Sequence, residues 1–213
     1  MTMILAVVLW TFPGAMDNSV HDRFDQLAPA WQWLREHRPG WRLAKGELAI
    51  LTNGSLWEEE NTQQNILLRP APDATEYAVE LTVDSDAAMT GAYEHGGLIW
   101  YLDDDHWVTL TQLNHVEHGT QKIMLVHEAG GIGMADLSFA EPYKPEKVYL
   151  RLEVSGNRFT GFYRTQTNEA WQRLGALIFP AKTGKPRIGI IAGEGDPGKG
   201  HWVRFDDFKF LPN

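Results

Sequence analysis

The chain has 213 residues and a mass of 24.1 kDa, the size of one domain that buries enough apolar surface to fold without a disulfide or metal staple. It contains no cysteine, which excludes thiolate zinc sites, a cysteine nucleophile and a disulfide framework. Its net charge of -9 repels phosphate backbones and argues against a nucleic-acid partner, and no apolar run reaches the roughly 18 residues of a membrane span.

Residues 1–19 allow three readings. The apolar centre of MTMILAVVLWTFPGA suits a leader peptide, yet it lacks a basic start and Pro13 sits badly for cleavage. The same residues fit a vector-derived segment or an edge strand at Ile4–Trp10. The poor leader signal tilts the compartment toward the cytoplasm over export. From Asp22 to Trp57, Trp31, Trp33 and Trp41 are punctuated by Pro29, Pro39 and Gly40, which leaves room for one helical turn at most. Strands are expected at Glu47–Thr52, closed by the Asn53–Gly54 turn signal, and at Asn65–Arg69, stopped by Pro70. Glu58–Glu60 reads as a solvated loop.

Glu76–Asp84 alternates cleanly, with Tyr77, Val79, Leu81 and Val83 on one face. Gly96–Leu102 and His106–Leu113 flank Asp103–Asp105 and read as a hairpin at the centre of an antiparallel sheet. Val108 and Leu110 then point one way, and Trp107, Thr109 and Thr111 the other. Lys122–Glu128 follows as a strand, and a loosely patterned stretch runs from Gly130 to Pro145. Lys147–Ser155 places Val148, Leu150, Leu152 and Val154 inward; Gly156–Asn157 turns into Arg158–Arg164. Trp171–Leu174, Ala176–Phe179, Arg187–Ala192 and His201–Leu211 complete the set. About a dozen short strands without a helical period predict an all-β, two-sheet antiparallel sandwich over residues 20–213.

The order of WQWLREHRPGW (31–41), LAILTNGSLW (48–57), NILLRPAP (65–72), HGGLIWYLDDDHWVTL (95–110), VYLRLEVSGNRFTGFYR (148–164) and RIGIIAGEG through FDDF (187–208) is similar to a known group. It resembles the concanavalin A-like jelly rolls of the DUF1349 type, which are similar to the C-terminal domain of family 43 β-xylosidases. The resemblance implies a concave, carbohydrate-facing sheet in a bacterial module associated with glycoside hydrolases. The ligand it implies is an oligo- or polysaccharide of plant or microbial origin. It says little about activity, because this fold hosts lectin-like modules, hydrolases and lyases.

The residues themselves offer weak catalytic signals. The E-x-D-x-x-E strand motif, which sets two carboxylates about 5 Å apart, is absent. Glu76 and Glu80 share a strand face at about 13 Å, too far for a retaining pair. Glu94, Glu128 and Glu153 are candidates to converge across strands, with His95 as a base, and the catalytic set expected is Glu94, His95 and Glu153. A lyase would draw on His95, Tyr101, Gln112, His127 and Arg151; the plain alternative makes His95 and His127 satisfied strand residues. His115 and His118 are too sparse to hold a metal, and no metal site is expected apart from a structural calcium, should Asp22, Asp25, Asp206 and Asp207 meet.

Period two puts Trp107, Thr109, Tyr149, Arg151 and Glu153 opposite the core-facing residues of their strands. If those strands share a sheet, the side chains form one patch for stacking on a sugar and bonding its hydroxyls or a uronate. Tyr101, Trp107, Gln112, Tyr149 and Arg151 are therefore the expected substrate-binding residues. The leading function is a carbohydrate-binding module. The alternatives are a stand-alone glycoside hydrolase or polysaccharide lyase on the same face, and an interaction domain without sugar affinity.

Overall fold

The computed structural model describes residues 20–85, 89–115, 120–139, 147–180, 183–196 and 198–212. The described residues form fifteen strands: β1 (Val20–Asp22), β2 (Gln32–Leu34), β3 (Trp41–Ala44), β4 (Glu47–Leu51), β5 (Ile66–Pro70), β6 (Glu76–Ser85), β7 (His95–Asp103), β8 (His106–His115), β9 (Thr120–Ala129), β10 (Gly133–Phe139), β11 (Lys147–Ser155), β12 (Arg158–Arg164), β13 (Gln172–Ile178), β14 (Arg187–Gly193) and β15 (Trp202–Pro212). One 3-10 turn, Arg38–Gly40, occupies the place where the prolines and Gly40 left room for a single turn. The candidate strand at Ile4–Trp10 and the origin of residues 1–19 lie outside the described residues.

Two antiparallel sheets form the sandwich. An eight-stranded sheet runs β13-β12-β11-β6-β15-β4-β3, with β1 added against β15, and a seven-stranded sheet runs β10-β9-β8-β7-β14-β5-β2. The β7–β8 hairpin is central in the second sheet, as its β-branched and aromatic composition predicts. Within the loosely patterned stretch after Gly130, β10 pairs with the β9 edge across a bulge. Its alternation is too irregular to announce a strand; the ladder offered by β9 supplies the order. The short β1, β2 and β3 also escape a periodicity reading, since three or four residues are too few to show an alternation.

One core joins the sheets. Tyr77, Val79, Leu81, Val83, Leu150, Leu152, Phe205 and Phe208 of the larger sheet meet Leu67, Leu98, Val108, Leu110, Leu125, Ile188 and Ile190 of the smaller one. Each such side chain, fully buried, contributes about 1.5–3 kcal/mol of transfer free energy. The Trp-rich segment closes one open side: Trp33 on β2 packs, tilted, against Trp41 of β3 at 4.6 Å, and Arg38 covers Trp41 at 3.8 Å.

The seven-stranded sheet is apolar on its outer face as well. Leu56, Ile66, Leu68, Ile99, Tyr101, Trp107, Val126 and Ile191 form a second cluster there. This explains why β14 reads as an unbroken apolar run, buried at every position after Arg187. A sheet with two apolar faces needs a cover on each, and the loop after β4 supplies part of the second.

Candidate functional site

Strand parity builds the site. On the outer face of the seven-stranded sheet, β7 presents His95, β8 presents Trp107, Thr109 and Thr111, β9 presents Met124 and Val126, and β14 presents Ile191. Loops supply the walls: Ser55, Leu56, Trp57 and Glu60 after β4, Tyr93 before β7, and Glu194 after β14. Together they enclose a hollow of about 520 Å³. Trp57 and Trp107 lie 6.0 Å apart between ring centroids, tilted at 58°, and Tyr93 meets His115 edge-on at 5.5 Å. Nε1 of Trp107 and Oγ1 of Thr111 are buried with no hydrogen-bond partner among the described residues, so the floor carries unused polar capacity.

A buried carboxylate ties the walls together. Glu94 is fully buried and accepts from the Thr52 hydroxyl, from the Thr90 and Gly91 amides at 2.9 and 3.0 Å, and from the His201 amide and Nδ1, each at 3.0 Å. These donors belong to the loop that precedes Tyr93, to the loop after β4 and to the segment before β15. Burial on its own would raise the Glu94 carboxyl, but the donors of Thr52, Gly91 and His201 outweigh it and hold the group below the usual glutamate range.

The imidazole of His95 donates through Nδ1 to the Tyr93 carbonyl at 3.0 Å, which leaves Nε2 as an acceptor. Burial lowers it to about 4 against the opposing pull of that carbonyl and of Glu94, so the ring is neutral at neutral pH. At Glu194, burial raises the carboxyl, Ser55 opposes, and the Glu60 charge raises it further. Glu128, paired across the ladder from Trp107, is buried; Oε2 accepts from the Glu58 amide at 2.7 Å, and burial pushes its carboxyl up.

The Trp57 indole packs against Gly133, where a Cβ would collide with the ring. Gly133→Ala is therefore expected to tip the ring off its seat without unfolding the sheet. Quenching of tryptophan fluorescence by acrylamide should rise, and unchanged quenching would show that the ring does not rest there.

Several sequence expectations are corrected by topology. Trp107 and Thr109 lie in the seven-stranded sheet, whereas Tyr149, Arg151 and Glu153 lie in β11 of the eight-stranded one. All five avoid the core, as period two requires, yet they face away on opposite sides of the sandwich and form no common patch. Arg151 pairs with Glu80 at 2.7 Å and Glu153 at 2.9 Å, and Arg164 lies over Tyr149 at 5.5 Å. Glu94, Glu128 and Glu153 do not converge, and Glu94 is consumed by its donors. Gln112 shares the parity of Val108 and Leu110, so it points between the sheets and donates to Ser85 and Gln121 instead of reaching the hollow. His127 likewise faces inward, 5.8 Å from the Phe179 ring. Tyr101 does reach the outer face, beside the hollow, where its hydroxyl donates to Asp104 at 2.7 Å and Arg187 covers its ring.

Of the suspected metal ligands, His118 lies outside the described residues, and His115 lines the hollow. β1 and β15 do run side by side, but Asp22 accepts from the Phe24 amide and Trp31 Nε1, and Asp207 pairs with His21 and Lys209. Among the described residues no group of three or more His, Cys, Asp or Glu is placed to hold a metal ion. Sequence reasoning missed Trp57, Tyr93, Glu60 and Glu194 because loops carry them. The one local signal was a tryptophan beside the Glu58–Glu60 run.

Solved structures share this architecture. A GH43 protein from Bacillus licheniformis is 18% identical, with a TM-score of 0.78 over 98% of this chain and 41% of its own. A functionally unknown protein from Saccharomyces cerevisiae is 17% identical, with a TM-score of 0.65 over 86% of this chain and 97% of its own. The carbohydrate binding module CBM66 from Bacillus subtilis is 10% identical, with a TM-score of 0.57 over 86% of this chain and 96% of its own. The chain thus spans 41% of the length of the GH43 structure. No functionally curated protein matches it. With its order of strands, its two sheets and a sequence match over residues 21–211, the chain belongs to the family of β-xylosidase C-terminal concanavalin A-like domains.

Proposed function

We propose that the chain is a carbohydrate-binding domain that holds a glycan in the hollow lined by Trp57 and Trp107. The observation that carries this reading is that two tryptophans, Trp57 half-exposed and Trp107 on the floor, share one concavity with the polar groups of Ser55, Thr109, Thr111, Glu60, Glu194 and neutral His95. A sugar ring offers apolar C–H faces and a rim of hydroxyls, and this lining complements both. The likeness to GH43 proteins and to a carbohydrate binding module supports the same reading.

Trp57 is 38% exposed, so its removal spares the core. In titration calorimetry against neutral oligosaccharides of xylose, arabinose, fructose and glucose, Trp57→Ala is expected to weaken binding about tenfold, or about 1.4 kcal/mol, with unchanged circular dichroism. Undiminished affinity in this variant would move the site elsewhere. A second reading, a glycan-active enzyme, draws on the raised carboxyl of Glu194 and the neutral imidazole of His95 in the same hollow. Release of reducing ends, lost in Glu194→Gln, would favour it; binding without turnover favours the module.

A further inference from the structure

We propose that the hollow selects by charge: it takes an uncharged glycan unit and rejects uronates and sulfated or phosphorylated sugars, with Glu60 and Glu194 as the specificity-determining residues. This rests on reading the hollow as a glycan site and reverses the expectation that an arginine would receive a uronate. Arg151 belongs to the opposite sheet, and none of the described residues that line the hollow is a lysine or arginine. Its ionisable lining consists of Glu60, Glu194, Tyr93 and two histidines, His95 and His115. His95 adds no positive charge at neutral pH, because burial outweighs the Tyr93 carbonyl and Glu94 and keeps the imidazole neutral.

Hydrogen-bond inventory points the same way. An ionised carboxylate only accepts, so Glu60 and Glu194 call for ligand groups that donate, and a sugar hydroxyl does so. Trp107 Nε1 only donates, and the Thr111 hydroxyl can donate; both are buried without a protein partner on the floor, and a hydroxyl oxygen can accept from either. A hydroxyl answers both needs, whereas a ligand carboxylate or sulfate answers only the second. The Glu194 main chain is anchored beside the hollow: its backbone is left-handed at φ 57°, and its amide donates to the Gly54 carbonyl at 2.8 Å. The two acidic groups already repel in a partly desolvated wall, and a third anion has no cation there to meet.

The test is titration calorimetry of the full chain with the neutral oligosaccharides named above and, for each binder, a matched oligosaccharide carrying a uronate. The expected result is neutral binding with the uronate form at least about tenfold weaker. That gap should shrink at high salt and in a Glu60→Gln, Glu194→Gln double variant. Equal or tighter uronate binding overturns the inference while leaving the glycan site in place. A gap that survives both salt and the double substitution also overturns it, because the discrimination then has a steric origin. Binding of no neutral or acidic oligosaccharide overturns the glycan reading itself and the inference with it.

Discussion

Glu94→Ala is expected to cost about 3–5 kcal/mol, a large share of the roughly 5–15 kcal/mol that a domain of this kind has in hand. The substitution leaves the donors of Thr52, Thr90, Gly91 and His201 facing a void where a charged acceptor stood. An unsatisfied buried donor costs about 1–3 kcal/mol, and water entering the gap recovers part of the total. Glu94→Gln keeps one acceptor oxygen but sets an amide N–H₂ against existing donors, and it should lie between wild type and alanine. The carboxyl is depressed in the folded state, so its stabilisation is present above the ordinary glutamate range and is lost as pH falls through the depressed value. Denaturant unfolding over this acid window should show the wild type losing more stability than Glu94→Gln. A Glu94→Ala melting temperature within a degree of wild type would refute the role. Because the same carboxylate positions the loops carrying Tyr93, Trp57 and Glu194, glycan affinity should fall with stability.

The other large effect is expected at Gly189, in the middle of β14. A Cβ there would strike the Leu67 carbonyl oxygen and stand 2.8 Å from its carbon and 3.0 Å from Cα of Leu68. These are backbone atoms of β5, so no rotamer change relieves the contact, and the two strands must separate. Ordinary overpacking costs about 1–3 kcal/mol; a collision with a hydrogen-bonded backbone should reach the top of that range or exceed it. β5 also supplies Ile66 and Leu68 to the outer apolar cluster beneath the hollow. Gly189→Ala should therefore lower the denaturation midpoint sharply and weaken binding, whereas Gly156→Ala, in an open turn at φ 59°, should cost only its backbone strain. Equal costs at the two positions would show that the close approach at β14 carries no weight.

The alternation of Glu76–Asp84, His106–Leu113 and Lys147–Ser155 was enough to determine an all-β sandwich, the central hairpin and the inward set of Val108, Leu110, Leu150 and Leu152. Side-chain direction in a strand is fixed by a two-residue period, so a sequence states which residues share a face. Gln112 was expected among the substrate-binding residues against that rule, since it shares the parity of Val108 and Leu110 and points inward with them. Sheet membership is another matter. Trp107 and Arg151 both point away from the core, but only the pairing of β8 with β7 and β9, and of β11 with β6 and β12, puts them on opposite sides of the molecule. Strand pairing depends on loop closure between residues far apart in the chain, which no local pattern encodes. The hollow was hidden for the same reason: Trp57, Tyr93 and Glu194 come from three loops, drawn together by buried Glu94 and by the bond from the Glu194 amide to the Gly54 carbonyl.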